Sequence, residues 1–349
     1  MEQSVKIRVI CRQKIELGKI IRWLRCLTPR CSHCIRLWAL RDSGPWIGRA
    51  WDWSLGGILL ATVVAGVALT LGWGPVLAPW QALTPAELLP PIALTVLSYC
   101  LRGVRIHDYF RPRLRGRFPS VLRLSVLHTT ANNLLPMRAG ELVFPWLMGR
   151  YFGHDFLTAS ASLVWIRLLD LHFLGLMGIF ILSLRHPTWL WSLVALLWLL
   201  LPPIMSRLGR HQPSRQSRLG KVLCLMIEAA PTSTPRALRI YLWTALIWIS
   251  KLLAFALVLR YFLQAEPWKV LLGVMGAELS SVLPFHGIAG SGSYELAVMA
   301  ALLPLGVDAT AALVGAVNLH LFLLGVTLML GALAFLLPVC RGKQVTDAL

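Results

Sequence analysis

The chain has 349 residues, of which 57% are hydrophobic and 14% charged, and its mean hydropathy is +0.67. This composition excludes an ordinary soluble domain and predicts a protein that crosses the membrane several times. The formal net charge of +19 would suit a nucleic-acid-binding protein, but the basic residues cluster between apolar runs. The positive-inside rule and anionic headgroups explain that distribution, so no nucleic-acid partner is expected.

Residues 1–49 contain many arginines and no long apolar run, so we interpret them as a basic cytoplasmic extension rather than a signal peptide. Cys26, Cys31 and Cys34, with His33 among them, form an incomplete zinc-binding pattern, because no second ligand pair follows. An unstructured extension is favoured, with zinc binding as the alternative. The seven cysteines predict no disulfide framework, and no cofactor or metal is expected.

The apolar runs predict an all-α membrane protein. Full transmembrane helices are predicted at 53–71, 88–101, 156–184, 189–205, 238–263 and 310–337. Basic segments lie at 102–123, 207–221 and 341–349. Because Lys and Arg are enriched in cytoplasmic loops, these three segments and both termini are predicted to be cytoplasmic.

Two polar runs with helix-breaking residues interrupt the apolar sequence, at 132–141 and 283–295. Their predicted hinge positions are Pro136 and Gly140 in the first run and Pro284, Gly287, Gly290 and Gly292 in the second. In each stretch between two cytoplasmic basic segments, two full spans already bring the chain back to the cytoplasmic side. The polar run in that stretch must therefore cross the membrane twice or not at all. A broken segment of that length makes only two half-length helices, so each is predicted to be a re-entrant hairpin.

The eight apolar segments fall into two similar sets. The membrane domain is predicted to cover 50–340, with halves at 50–187 and 188–340 and a tail at 341–349. Each half has a span, a broken hairpin that ends in a glutamate (Glu141 or Glu295), and a long span. The hairpins enter from opposite faces, so the halves are predicted to be inverted copies. Gly153-His154-Asp155 and Gly306-Val307-Asp308 add local similarity, and such repeats are typical of alternating-access carriers.

Three motifs carry a family resemblance. Asn-Asn-Leu-Leu-Pro-Met-Arg-Ala-Gly-Glu occupies 132–141, Arg-Leu-Leu-Asp occupies 167–170, and Leu-Pro-x-x-Gly with a downstream glutamate occupies 283–295. They resemble the lysylphosphatidylglycerol synthase transmembrane-region family, also described as flippase-like, over residues 50–340. The resemblance implies a lipid-handling protein of the bacterial inner membrane, in some members a flippase for aminoacylated phosphatidylglycerol.

Two features depart from that family. The aminoacyl-transferase domain of the full synthases has no room after the last span, so synthase activity is not expected and a non-enzymatic role is favoured. The last span also carries no arginine as a counterpart to Arg167. Val317-Asn318-Leu319-His320 stands in its neighbourhood.

Charged side chains at membrane depth are the candidate functional groups, because each costs about 2.5–3.5 kcal/mol at the bilayer centre. They are Arg138, Glu141, Arg167, Asp170, Lys251, Glu278 and Glu295. Arg138 is predicted to hold a lipid phosphate, since a guanidinium binds phosphate bidentately. Arg167 and Asp170 are assigned to the transport site, with mutual neutralisation as the alternative. Lys251 and Glu278 are predicted to pair.

Asn132, Asn133, His286 and His320 complete the predicted substrate and transport site. The histidines titrate near neutral pH and would couple transport to protons, and neutral hydrogen-bonded histidines are the alternative. With Glu141 and Glu295, they suggest proton carriage or gating at both breaks.

The favoured hypothesis is a translocator that moves a phospholipid or polyprenyl-linked lipid with an anionic or phosphate headgroup by alternating access. A second hypothesis is a membrane-embedded transferase or hydrolase with Glu141 or Glu295 as general base. No metal-ligand cluster or nucleophile motif in the sequence supports that reading. A third is a non-catalytic partner of a separate lipid- or glycan-modifying enzyme.

Overall fold

The structure is a computed structural model that describes residues 58, 60–62, 64–69, 72–185, 187–208, 218–231, 233–280 and 287–338. Within these ranges, only the backbone is described for residues 137, 138, 202–208, 218, 219 and 221. The cysteine-containing segment, Pro284 and His286 lie outside the described residues. The described part of the chain is helical and contains no strand, and it belongs to one compact unit that begins at Ala50.

The helices follow one another through short connections. In chain order they are α1 (Leu60–Leu69), α2 (Trp73–Ala82), α3 (Pro85–Tyr109), α4 (Phe118–Leu134), α5 (Val143–Phe152), α6 (Phe156–Arg185), α7 (Trp189–Leu208), α8 (Arg218–Ala229), α9 (Thr234–Phe262), α10 (Pro267–Ser280), α11 (Ser293–Leu302) and α12 (Ala309–Ala334). A single turn at Arg111–Leu114 joins α3 to α4, and 3₁₀ turns lie at Pro136–Leu142, Ile288–Gly290 and Leu303–Leu305.

Five segments of the described chain are long and apolar enough to cross a membrane. They are α3, α6, α9, the run Ile288–Leu305 and α12. A sixth arises if α1 and α2 form one span, although these two helices meet at 86°. Hence the chain is an all-helical, multi-pass membrane protein.

The long helices start where the sequence supplies caps. Thr84 and Glu87 form a capping box at the start of α3, with Glu87 Oε2 accepting the Thr84 N–H at 2.8 Å. At the starts of α6 and α12, Asp155 and Asp308 accept backbone N–H groups at 2.9 Å. These carboxylates satisfy donors that helix starts leave free.

Helices α3, α9 and α12 form the centre of the bundle. Contacts pair Ser98 with Ile247 and Asp108 with Arg239, so α3 and α9 run antiparallel. Phe255 and Leu319 are fully buried between α9 and α12. By contrast, leucines on α7 are largely exposed, as expected for a surface that faces lipid.

Two broken helical hairpins pack against this centre. Hairpin 1 consists of α4, the turn Pro136–Leu142 (tip 1) and α5, and hairpin 2 consists of α10, the turn Ile288–Gly290 (tip 2) and α11. The 14 residues of α10 and the 10 of α11 rise about 21 and 15 Å, less than a hydrocarbon core of about 30 Å. Close approach of Gly276 to Ala297 and of Gly273 to Leu302 makes α10 and α11 antiparallel.

The basic segment at 102–123 is not the loop that the sequence predicted. Arg102 and Arg105 lie in the last two turns of α3 and are buried, with 9% and 3% of their surface exposed. Arg123 lies in α4 and donates to the carbonyl oxygen of Leu337 at 2.6 Å. The prediction counted arginines by the positive-inside rule, whereas these three make contacts within the bundle.

We predict that Gly276→Ala destabilises hairpin 2. A Cβ at this position would lie 2.6 Å from the carbonyl oxygen of Ala297 and 2.8 Å from the Cβ of Ala301, so the helices would have to separate. Overpacking of this kind costs about 1–3 kcal/mol. Thermal unfolding of the purified protein in detergent should show a lower Tm, while the control Gly325→Ala, whose Cβ meets nothing within 4 Å, should melt like the wild type. An unchanged Tm for Gly276→Ala would show that the two helices are not closely packed.

Candidate functional site

The two broken tips, which are distant in sequence, contact each other in the structure. Tip 1 contacts tip 2, and α4 contacts tip 2 as well. The two polar runs are more than 140 residues apart in sequence, so this contact depends on the packing of the intervening spans. Glu141 lies within tip 1, and Glu295 lies in the first turn of α11, directly after tip 2.

Glu141 fastens tip 1 to the neighbouring helices. Its Oε1 accepts hydrogen bonds from Arg167 Nε at 3.0 Å and from Asn132 Nδ2 at 3.0 Å, and Arg167 Nη2 lies 2.8 Å away. His128 Nε2 is 3.5 Å from the other carboxylate oxygen. Asn132 and His128 are on α4 and Arg167 is on α6, so one carboxylate connects the tip with both helices.

Gly140 is required by this arrangement. A Cβ there would lie 2.3 Å from the backbone nitrogen and 2.4 Å from Oδ1 of Asn132. The tip therefore turns back directly onto the last turn of α4. The absence of a side chain at Gly140 is what lets Glu141 reach Asn132.

Glu295 fastens tip 2 in a similar way. One oxygen, Oε2, accepts the backbone N–H of Gly292 at 2.8 Å, and the other lies 2.6 Å from His320 Nδ1. The second ring nitrogen of His320 lies 2.7 Å from the carbonyl oxygen of Ala289. Ala289 has a left-handed backbone, with φ of 55°, which is strained for a residue with a Cβ. The Glu295–His320 pair thus holds a strained turn in place.

The partners of His320 determine the proton content of the pair. A carbonyl oxygen only accepts, so Nε2 of His320 must carry a hydrogen to bond with Ala289. The bond between Nδ1 and Glu295 then needs one further proton, on the imidazole or on the carboxyl group. In either arrangement the buried pair has no net charge. Removing that proton leaves a single negative charge between tip 2 and α12.

The spans that follow the two tips begin with matching turns. Gly153 and Gly306 both have left-handed backbones, with φ of 64° and 75°. Asp155 and Asp308 come two residues later and cap α6 and α12 through the N–H three residues on. The sequence similarity between these two stretches therefore extends to their conformation.

The residues that bind the tip glutamates stand at matching positions too. Arg167 lies twelve residues after Asp155, and His320 lies twelve residues after Asp308. The last span contains no arginine that would correspond to Arg167. The structure places His320 there, because it contacts Glu295 as Arg167 contacts Glu141.

Asp170 is bound chiefly by a residue that the sequence analysis did not select. Arg105 donates to both of its oxygens, at 2.6 and 3.3 Å, and Trp248 Nε1 donates at 2.9 Å. Arg167 lies 3.6 Å away, so mutual neutralisation of Arg167 and Asp170 is the minor contact. With its oxygens occupied inside the bundle, Asp170 joins α3, α6 and α9.

The predicted pair of Lys251 and Glu278 is confirmed. Lys251 Nζ lies 2.5 Å from Glu278 Oε2, and only 3% of the glutamate side chain is exposed. Lys251 also lies 5.5 Å from the centroid of the Trp248 ring, a cation–π contact. The pair joins α9 to the first arm of hairpin 2.

The remaining predicted site residues have varied surroundings. Asn133 donates to Thr327 on α12 at 2.9 Å, and Tyr99 on α3 contacts the same hydroxyl at 3.2 Å. The side chain of Arg138 lies outside the description, although its backbone belongs to tip 1. Gly287 is buried, and Gly290 and Gly292 have left-handed backbones, while Pro136 starts tip 1.

Sequence reasoning missed Arg105, Trp248, Tyr99 and His128. The spacing of Tyr99, Arg102 and Arg105 gave a usable signal, because residues three apart share one face of a helix that continues past the apolar run. No group of three or more His, Cys, Asp or Glu side chains suited to a metal occurs among the described residues.

Comparison with known proteins identifies the fold family. The family model described as lysylphosphatidylglycerol synthase TM region matches residues 54–331, most of the chain. The chain belongs to this family. The match includes both tips and the spans that bind them, as the sequence motifs had indicated. A search of the curated proteins finds no match.

We predict that Lys251 and Glu278 are energetically coupled. Removing one partner of a buried pair costs about 3–5 kcal/mol, because the other charge is left without compensation. In a thermal-unfolding cycle, Lys251→Met and Glu278→Gln should each lower stability, and the double variant should lose less than their sum.

The more exposed pair Lys269–Glu266, separated by 3.7 Å, provides the control. Its coupling should be about 0–1 kcal/mol, as for surface pairs in general. Simple additivity at Lys251 and Glu278 would contradict the predicted coupling.

Proposed function

We propose that this protein moves a lipid with an anionic or phosphate headgroup between the leaflets of the bacterial inner membrane. The observation that supports this most is the meeting of two broken tips, each fastened by a glutamate to a cationic or titratable side chain of the next span. Irregular backbone at membrane depth is tolerated where it is buried in protein or lines a polar cavity. In this proposal the headgroup passes beside the tips while the acyl chains stay in lipid.

We further propose that the hairpins are re-entrant and that the two halves are inverted repeats, with about six full spans around them. Arms α5 and α10, which are shorter than a hydrocarbon core, favour re-entrant hairpins. The matching positions of Arg167 and His320 favour the repeat. Basic residues in the turn 111–117 favour a cytoplasmic location for that end and for both termini.

Transport would then depend on opening the Glu141–Arg167 contact and the Glu295–His320 contact in alternation. Opening the Glu141–Arg167 contact frees tip 1 from α6, and opening the Glu295–His320 contact frees tip 2 from α12. Arg138, in tip 1, would hold the headgroup while one tip is free. Gain or loss of the proton shared by Glu295 and His320 would couple movement to protons. The lipids are the proposed partners of the protein, with or without a separate lipid- or glycan-modifying enzyme.

We predict that Glu141→Gln and Glu295→Gln each slow lipid movement by at least about tenfold, since each removes a charged hydrogen-bond acceptor. Fluorescent lipids with different headgroups should be reconstituted in vesicles and scored for their transfer between leaflets. The exposed Arg260→Gln variant on α9 is the control and should transport normally. Wild-type rates in both folded glutamate variants would exclude the proposed site. Chemical turnover of the lipid by the wild type would instead favour a transferase or hydrolase.

Arg138 is tested in the same vesicles. We expect Arg138→Ala to be folded, with a normal Tm and lost lipid movement, and Arg138→Lys to be partly active because it keeps the charge without the planar fork. A purely structural arginine would instead lower the Tm of Arg138→Ala. A folded Arg138→Ala with wild-type transport would remove this residue from the mechanism.

A further inference from the structure

Arg102 differs from every other cation in the centre of the described bundle. Arg105 binds Asp170, Arg167 binds Glu141, and Lys251 binds Glu278, each within 4 Å. Arg102 is buried to a similar degree, with 9% of its surface exposed. Among the described residues it makes no hydrogen bond, and no carboxylate lies within 4 Å of it. Its one close partner is the ring of Trp248, whose centroid is 5.8 Å away.

The charge balance around Arg102 is positive. The described groups at this centre are four cations, Arg102, Arg105, Arg167 and Lys251, against three carboxylates, Glu141, Asp170 and Glu278, in addition to the Glu295–His320 pair, which has no net charge. Each carboxylate already has a cation of its own. An unpaired buried guanidinium is costly, because it loses hydration without gaining an acceptor. An anion bound at Arg102 would offset that cost.

A comparison of equivalent positions in the two halves of the chain shows that Arg102 lacks the acidic partner that Lys251 has. Arg102 lies eighteen residues after Thr84, which precedes α3, and Lys251 lies eighteen residues after Ser233, which precedes α9. The acid of Lys251, Glu278, is eleven residues into α10 from its first residue. Eleven residues into α4 the chain has Thr129, whose hydroxyl donates to its own helix at Ser125 at 2.9 Å. Lys251 therefore has an acid where Arg102 has none.

We propose that Arg102 is the anion-binding group of this site and that it holds an oxyanion of the phosphate class, either on a lipid headgroup or free in solution. This deepens the translocator proposal by naming the part of the substrate that is held. A guanidinium binds phosphate through two parallel hydrogen bonds. Tyr99 lies one turn away on the same face of α3, and Asn133 donates towards its hydroxyl at 3.5 Å. Tyr99 places a hydroxyl on the face of α3 that carries Arg102, and Trp248 lies against the guanidinium with its ring.

The first test is anion-dependent thermal stability of the purified protein. Dioctanoyl phosphatidylglycerol should raise the Tm of the wild type, whereas dioctanoylglycerol, which has the same chains and no phosphate, should not. A shift with inorganic phosphate as well would identify the oxyanion itself as the ligand, and a shift with the phospholipid alone would identify a lipid headgroup. The absence of any shift, or an equal shift with dioctanoylglycerol, would overturn the proposal.

The second test compares variants. Arg102→Gln should melt at or above the wild-type Tm without anion, because an unpaired charge is removed, and should lose the phospholipid-dependent shift. The matched variant Lys251→Gln should melt lower, since it leaves Glu278 without its cation. A lower Tm for Arg102→Gln, or a retained shift, would overturn the proposal. Should Arg102→Gln not fold, Arg102→Lys should bind at least about threefold more weakly than the wild type, because a bidentate contact becomes a single point charge, and equal affinity would count against the site.

The binding tests and the transport assay can refute the anion-binding proposal and the translocator proposal independently of each other. Anion binding that depends on Arg102 without any lipid movement would retain this site and exclude the translocator. Lipid movement at wild-type rate in Arg102→Gln would leave the translocator in place and exclude Arg102 as the group that holds the headgroup. The exposed Arg260→Gln variant controls for the loss of one positive charge and should bind and transport normally.

Discussion

Broken backbone inside an apolar protein must be held by contacts with its surroundings, and a carboxylate contributes such contacts at each of the two tips. Glu141 binds a side chain of its own hairpin, Asn132, and Glu295 binds a backbone N–H of its own tip, at Gly292. Each also binds a side chain of the following span. The shape of each tip is thereby linked to the position of a long helix. A movement of α6 or α12 cannot leave the tips unchanged.

The Glu141–Arg167 and Glu295–His320 contacts lie at equivalent positions after the two tips but differ in their chemistry. Arg167 keeps its charge at any physiological pH, so Glu141 has a permanent ion pair. The corresponding contact at Glu295 holds one proton between a carboxylate and an imidazole, because the other ring nitrogen binds the Ala289 carbonyl oxygen. The strained Ala289 turn is held by the same histidine. Tip 1 is therefore held by an ion pair, and tip 2 by a contact that one proton bridges.

The sequence was sufficient for features that depend on local chemistry. Apolar length predicted α3, α6, α9 and α12, and Pro136 with Gly140 located the first break. The Lys251–Glu278 pair was predictable because each charge was too costly to remain alone at membrane depth. Helices such as α2 and α8 were missed because they lie in segments that were interpreted as connections.

Partners distant in sequence were not predictable in the same way. Arginines 102 and 105 were assigned to a loop because a charge rule counts side chains without asking what they contact. The partner of Arg105 is Asp170, sixty-five residues further on, and a three-residue spacing had suggested Arg167 for that role. Residues three apart form the main ion pair only when no cation on another helix lies closer to the carboxylate. Here Arg105, on α3, lies closer to Asp170 than Arg167 does.

Trp248 links charged groups that three different helices contribute. Its indole N–H binds Asp170, which α3 and α6 share, and its ring lies within 6 Å of both Arg102 and Lys251. Those two cations stand at matching positions of α3 and α9. A charge bound at one of them would change the field at the other across a single buried aromatic ring. The centre of this protein is consequently one electrostatic unit, so an anion held at Arg102 would act directly on the Lys251–Glu278 pair that joins α9 to hairpin 2.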